Sequence, residues 1–128
     1  MPAWKKLLSV LVAAICLLPV NCQAAEKMSF VDAIGSTGYY VYMDSVAWES
    51  DAVVNAKVAV IKTTTNRMYV YRMRFDCGMM TYQILSSETL AYDTKEVLES
   101  SWVPQMEMGY SSTSIMQEMV SYIMHPED

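Results

Sequence analysis

Few side chains in this sequence could carry out chemistry, and their spacing sets none of them to work together. His125 is the only histidine, in a polar tail ending Pro126-Glu127-Asp128. Ser-His-Asp or Cys-His catalysis needs an ordered imidazole within hydrogen-bond reach of a nucleophile, and a solvated histidine at the end of a helix is the simpler reading. Glu49 with Asp51, and Glu96 with Glu99, pair carboxylates only at turns, where they read as hydrated surface. Four glycines, none in a Gly-rich loop that opens a helix, leave no cradle for phosphate. No catalytic residue is assigned, and the chain reads as a non-enzyme.

Methionine raises the one question of metal chemistry, with twelve in 128 residues. Met79-Met80, Met106-x-Met108 and Met116-x-x-Met119 could offer soft thioethers to Cu(I) in an exported protein. Thioether sites usually recruit histidine or cysteine as well. With only two phenylalanines, methionine also serves as an adaptable filler of core gaps. Met116 and Met119 fall on an apolar helical stripe, where packing accounts for them. No metal ligand or cofactor is assigned; a periplasmic Met-rich Cu(I)-binding protein is the alternative function, and a structural envelope subunit a second.

The elements that would position any site begin after a leader. Lys5 and Lys6 precede an apolar run from Leu7 to Val20, shorter than the roughly 20 residues needed to span a bilayer. Cys22-Gln23-Ala24 then sets small residues at −3 and −1 of a cleavage point, as in a secretory signal peptide. Residues 1–24 are read as that signal and 25–128 as one domain. Lipid attachment at Cys22 is the alternative, although Leu18-Pro19-Val20-Asn21 lacks the Leu-small-small pattern such sites prefer. Without Lys5 and Lys6 the net charge moves from −5 to −7, seven cations against fourteen anions. So acidic a domain offers nothing to nucleic acid, and no second apolar run is long enough for membrane insertion. An exported protein of the periplasm or cell surface is expected.

Beyond the leader, apolar residues alternate with a period of two, the mark of half-buried strands. Strands are expected over Phe30–Ile34, Tyr39–Asp44, a stretch with Val54, Ala56, Val58 and Val60 inward, Arg67–Cys77 and Met79–Ser87. Leu90–Asp93 and Val97–Ser101 would form a last hairpin. Trp102-Val103-Pro104 starts a loop, because Pro104 lacks the N–H a central strand requires. Ile115, Met116, Met119, Val120 and Ile123 then recur every three or four residues, a helical stripe, with Ser114 and Gln117 spaced as a capping box. The fold class is α+β: an antiparallel meander of about six strands with one C-terminal helix packed on it. Tyrosines exceed what one small core can hold. Tyr40 and Tyr42, with Arg72 and Arg74 on another strand, are therefore candidate protein-contact residues.

Phe75-Asp76-Cys77-Gly78-Met79-Met80-Thr81-Tyr82-Gln83-Ile84-Leu85-Ser86-Ser87, running on to Leu90-Ala91-Tyr92-Asp93, resembles the bacterial surface-adhesin protein E family. Also similar are the Tyr-rich strand ending at Asp44, Glu99-Ser100 before Trp102-x-Pro104, and the short tail helix, so the likeness covers Phe30 to Ile123. It implies a small antiparallel sheet with a C-terminal helix, and a non-catalytic domain whose partners are proteins, host extracellular proteins or envelope components. It also implies structural roles for Cys77, Trp102 and Pro104. Family members typically bridge the Asp-Cys cysteine to a second at the helix end; Cys77 supplies the first, but Met124 stands in place of the second. Intact mass of protein from the envelope fraction checks the leader: the chain is expected to start at Ala25, and a lipid-modified start at Cys22 would overturn that.

Overall fold

The computed structural model describes residues 27–126; the leader, its cleavage point and Cys22 lie outside the described residues. Seven strands form one antiparallel sheet: β1 Ser29–Ile34, β2 Thr37–Trp48, β3 Val53–Lys62, β4 Arg67–Asp76, β5 Thr81–Ala91, β6 Val97–Ser101 and β7 Met108–Gly109. The order is β1-β2-β3-β4-β5-β6, with β7 also on β5, so each of the first six strands pairs with the next in sequence. One helix, α1 (Ile115–Met124), packs against β1 and β2. The expected α+β meander with a C-terminal helix is what the chain forms. No helix among the described residues is long and apolar enough to cross a membrane.

The period-two pattern explains why the strands form, and the two faces explain the core. Val41, Val54, Ala56, Val58, Met73 and Phe75 point to the helix side, where Met119, Val120 and Ile123 of α1 close over them. The opposite face is apolar too: Tyr42, Ala59, Ile61, Met68 and Val70 are buried there, with Met28, Tyr40, Leu90 and Tyr92 packed around them. Asn55 and Lys57 alternate with the inward residues of β3 as the start of a polar outer face. Ala59 and Ile61 interrupt that alternation, and the tyrosines of β2 cover them.

Three boundaries differ from expectation for local reasons. β2 runs on past Asp44 to Trp48 through a bulge: Tyr42 pairs with Lys57 and Ala47 with Asn55. Ser45 fills the gap, its hydroxyl donating to the Tyr42 carbonyl at 2.5 Å and accepting from the Lys57 N–H at 2.8 Å, so the backbone groups stay paired. β5 absorbs Leu90 as one strand through Ala91, again with a bulge, where Arg72 faces Ser86 but Met73 faces Ile84. After Pro104 the chain stays on β5: the Gln105 N–H donates to the Ile84 carbonyl at 2.8 Å, and β7 pairs Met108 with Tyr82.

Turn chemistry fixes the ends. Gly35 takes φ +63° in the two-residue loop between Ile34 and Thr37, a conformation glycine reaches without Cβ strain. In the β4–β5 turn it is Met80, at φ 53°, that turns left-handed, and not Gly78. The Asp76 carboxylate holds that turn, accepting from the N–H groups of Gly78 and Met79 at 3.0 Å each. Ser114 caps α1 by accepting from the Gln117 N–H at 3.4 Å. The reciprocal half of a capping box is not made, because the Gln117 amide donates to Ser121 instead.

Phe75 is fully buried between sheet and helix. Phe75→Ala should cost about 3–5 kcal/mol of unfolding free energy, measured by urea denaturation. Phe30→Ala removes only an edge-to-face contact with Tyr40 (ring centroids 5.6 Å apart) and should cost about 1 kcal/mol.

Candidate functional site

Tyr40, Tyr42, Arg72 and Arg74 share the face away from the helix, and their circumstances diverge. Tyr42 is 5% exposed and belongs to the buried cluster, with the Lys57 ammonium 4.6 Å from its ring centroid; it presents almost no surface to a partner. Tyr40 is partly buried and leans on Phe30. Gly38 makes room for it: a Cβ there would lie 2.9 Å from the Tyr40 ring. Arg74 is already engaged, its Nε donating to Glu49 Oε2 at 3.0 Å and Nη2 to Oε1 at 3.4 Å, while Asn55 donates to the same carboxylate at 2.6 Å. This forked bond is the Arg74 guanidinium's main hold; it raises the pKa of Arg74 and lowers that of Glu49. The side chain of Arg72, two residues earlier and exposed, has no hydrogen-bond or ion-pair partner among the described residues.

Cys77 is a free thiol in the β4–β5 turn, its N–H donating to the Ala52 carbonyl at 2.7 Å. It packs against the helix-side core, and burial, with the Asp76 charge added, pushes the thiol pKa up. That makes it a poor nucleophile at neutral pH. Met124, the helix-end position singled out for a bridge, is half exposed on the last turn of α1. Trp102 and Pro104 follow β6 in an exposed segment, Trp102 being 72% exposed. The methionine pairs separate by environment: Met119 is buried and Met116 packs on the core, whereas Met79, Met106 and Met108 are exposed. Among the described residues no group of three or more His, Cys, Asp or Glu is placed to hold a metal ion.

Two features escaped the sequence. The first is a surface. Val97, Leu98, Trp102, Val103, Met106 and Met108 are all exposed in the segment that runs along the outer edge of β5 through β6 and β7, Met106 reaching 81% exposure. The second is a groove of 540 Å³ between β1 and α1, lined by Phe30, Val31, Glu118, Ser121, Tyr122 and His125. A bulge between Phe30 and Asp32 in the β1–β2 ladder accompanies the meeting of the Asp32 and Glu118 carboxyls there. The hydrogen bond from Glu118 chiefly lowers Asp32, helped by the Ala33 N–H at 2.7 Å. The same bond chiefly raises Glu118, with desolvation and the Asp32 charge adding to it. These acids lie 86 positions apart in the chain, so no spacing rule could have paired them.

The opposite shifts of these two carboxyls make their contact depend on pH. The contribution of Glu118, whose pKa is raised, is present at acid pH and lost as pH rises through that raised value. That of Asp32, whose pKa is lowered, is present above its unfolded value and lost as pH falls through the folded one. The contribution of the pair is therefore greatest in the interval between the lowered Asp32 value and the raised Glu118 value, and falls as pH rises past the latter. Glu118→Gln keeps a donor and removes one charge. The variant should melt roughly 1–3 °C above the parent at pH 7.5, and the gap should close by pH 4; a gap that stays constant with pH would rule out that dependence.

Comparison with protein-family models, with curated proteins and with solved structures finds no match to this chain.

Proposed function

We propose that this protein is an exported, non-catalytic protein-binding domain that makes its contacts through the open β6–β7 border of its sheet. The observation carrying this reading is the concentration of exposed apolar residues in that edge segment, with Trp102 and Met106 at 72% and 81% exposure. Six large apolar residues exposed within one twelve-residue edge segment, 97–108, suit a surface used for association. Aromatic residues and methionine are the types enriched at protein contacts. Beyond β5 the strand β6 has no further neighbour among the described residues, so its outer N–H and C=O groups can accept an extended segment of a partner. Glu99 and Glu107 lie in the same stretch and favour a partner carrying basic residues.

The resemblance to surface-adhesin protein E supports an extracellular or envelope partner, and the leader supports export. The role of Tyr40, Tyr42, Arg72 and Arg74 as a joint contact patch loses weight, since Tyr42 is buried and Arg74 is occupied by Glu49. A copper-handling role draws no support from the separated methionines.

A photo-crosslinking residue at Met106 tests this in the intact envelope, with Thr64 in the exposed β3–β4 connection as control. One discrete adduct to another protein is expected from Met106 and none from Thr64. Adducts from both positions alike, or from neither, would remove the β6–β7 border as the contact surface.

A further inference from the structure

Methionine divides between inside and outside in this chain. Met68, Met73 and Met119 are buried in the two cores, whereas Met79, Met106 and Met108 are 74%, 81% and 52% exposed. The backbone brings these three to one corner of the sheet. Met108 pairs with Tyr82 and Gly109 with Thr81. The Gln105 N–H donates to the Ile84 carbonyl at 2.8 Å, and the Tyr110 N–H to the Met80 carbonyl at 3.0 Å. Met106 therefore follows the residue held to Ile84, and Met79 precedes the one held by Tyr110. The one other exposed methionine among the described residues is Met124, on the last turn of α1.

Packing gives no reason for a thioether at the corner. In a core, methionine fills irregular gaps. On an exposed edge, leucine or valine supplies the same apolar area, as Val97, Leu98 and Val103 do in the same segment. What methionine adds is a sulfur that accepts oxygen. Its lone pair attacks one oxygen of a peroxide, so that an S–O bond forms as the O–O bond breaks. The hydroxyl proton passes to the departing hydroxide, which leaves as water; sulfur loses the two electrons that the peroxide gains. The product sulfoxide is polar where the thioether was apolar. Cys77 is badly placed to take the oxidant first. Its thiol is partly buried, and burial with the Asp76 charge raises its pKa, which keeps it in the less reactive protonated form.

We propose that Met79, Met106 and Met108 are oxidation sites for peroxide, and that their conversion to sulfoxides turns the β6–β7 border from apolar to polar and releases what is bound there. The release rests on the border being the contact surface proposed above; the oxidation sites do not. The fold is spared, because Met68, Met73 and Met119 lie out of reach of the oxidant.

Peptide mass spectrometry of the purified mature domain, sampled during treatment with hydrogen peroxide, reads the sites. Met79, Met106 and Met108 should each gain one oxygen roughly 10-fold or more faster than Met68, Met73 and Met119. Retention of the oxidised domain on a phenyl column should fall, with its urea midpoint unchanged. Met124 reacts as well, so Met124→Leu should lose retention as the parent does, while the triple variant Met79→Leu, Met106→Leu, Met108→Leu should keep it. In the envelope, a photo-crosslinking residue at Val103 should give an adduct that peroxide abolishes in the parent and spares in the triple variant. Oxidation spread evenly over exposed and buried methionines, retention unchanged after the three have reacted, or an adduct that survives their oxidation would each overturn the assignment. An untreated envelope with no adduct at all would instead sink the contact surface, and the mass and retention results would still decide the oxidation sites.

Discussion

Everything in this fold rests on the register between β3 and β4. The ladder runs unbroken from Val53 opposite Asp76 to Lys62 opposite Arg67, the one long pairing in the sheet without a bulge. Side chains alternate with a period of two, so a slip of one residue would send every one of them to the other face. Here both faces carry apolar groups, and the two sets are not interchangeable. Val54, Ala56, Val58, Met73 and Phe75 match the underside of α1. Ala59, Ile61, Met68 and Val70 match the tyrosines of β2 and the end of β5. A slipped pairing would set Lys57 and Arg72 under the helix, where an unpaired charge is very costly.

The neighbouring strands can bend because that central pair does not. β2 departs from β3 at Met43 and rejoins it at Ala47, with Ser45 supplying from its side chain the bonds the backbone gives up. β5 bulges next to Arg72 and Met73. At the far end of the ladder Asn66, left-handed at φ 55°, ties the β3–β4 connection to the β5–β6 turn. Its amide donates to Asp93 at 3.1 Å and its side-chain oxygen accepts from the Asp93 N–H at 3.0 Å. Two distant turns are thus fastened by one side chain, and the same bond, with the Thr94 N–H, holds the Asp93 pKa down.

The strands, their antiparallel order and the tail helix were legible because each depends on local periodicity. Val54, Ala56 and Val58, or Met119, Val120 and Ile123, announce their faces within a few residues. What was not legible depends on pairs. Leu90 reads as the start of a new strand until the continuing ladder with Met68 is seen. Tyr42 reads as surplus to one core because its actual packing partners, Ala59 and Val70, lie on other strands of a second apolar face. Arg72 and Arg74 look equivalent in sequence, and only the placement of Glu49 at the end of the bulged β2 distinguishes them. Asp32 and Glu118 carry no signal at all until β1 and α1 meet.

Pro104 interrupts the outer border of the sheet between β6, five residues long, and β7, two residues long. An unbroken apolar border strand invites copies of the same chain to add on without limit, as in a fibril. Proline offers no N–H for such a neighbour, so this border cannot template a continuous added strand. The exposed tryptophan and methionine of that border thus sit beside an edge that is broken for strand-on-strand growth.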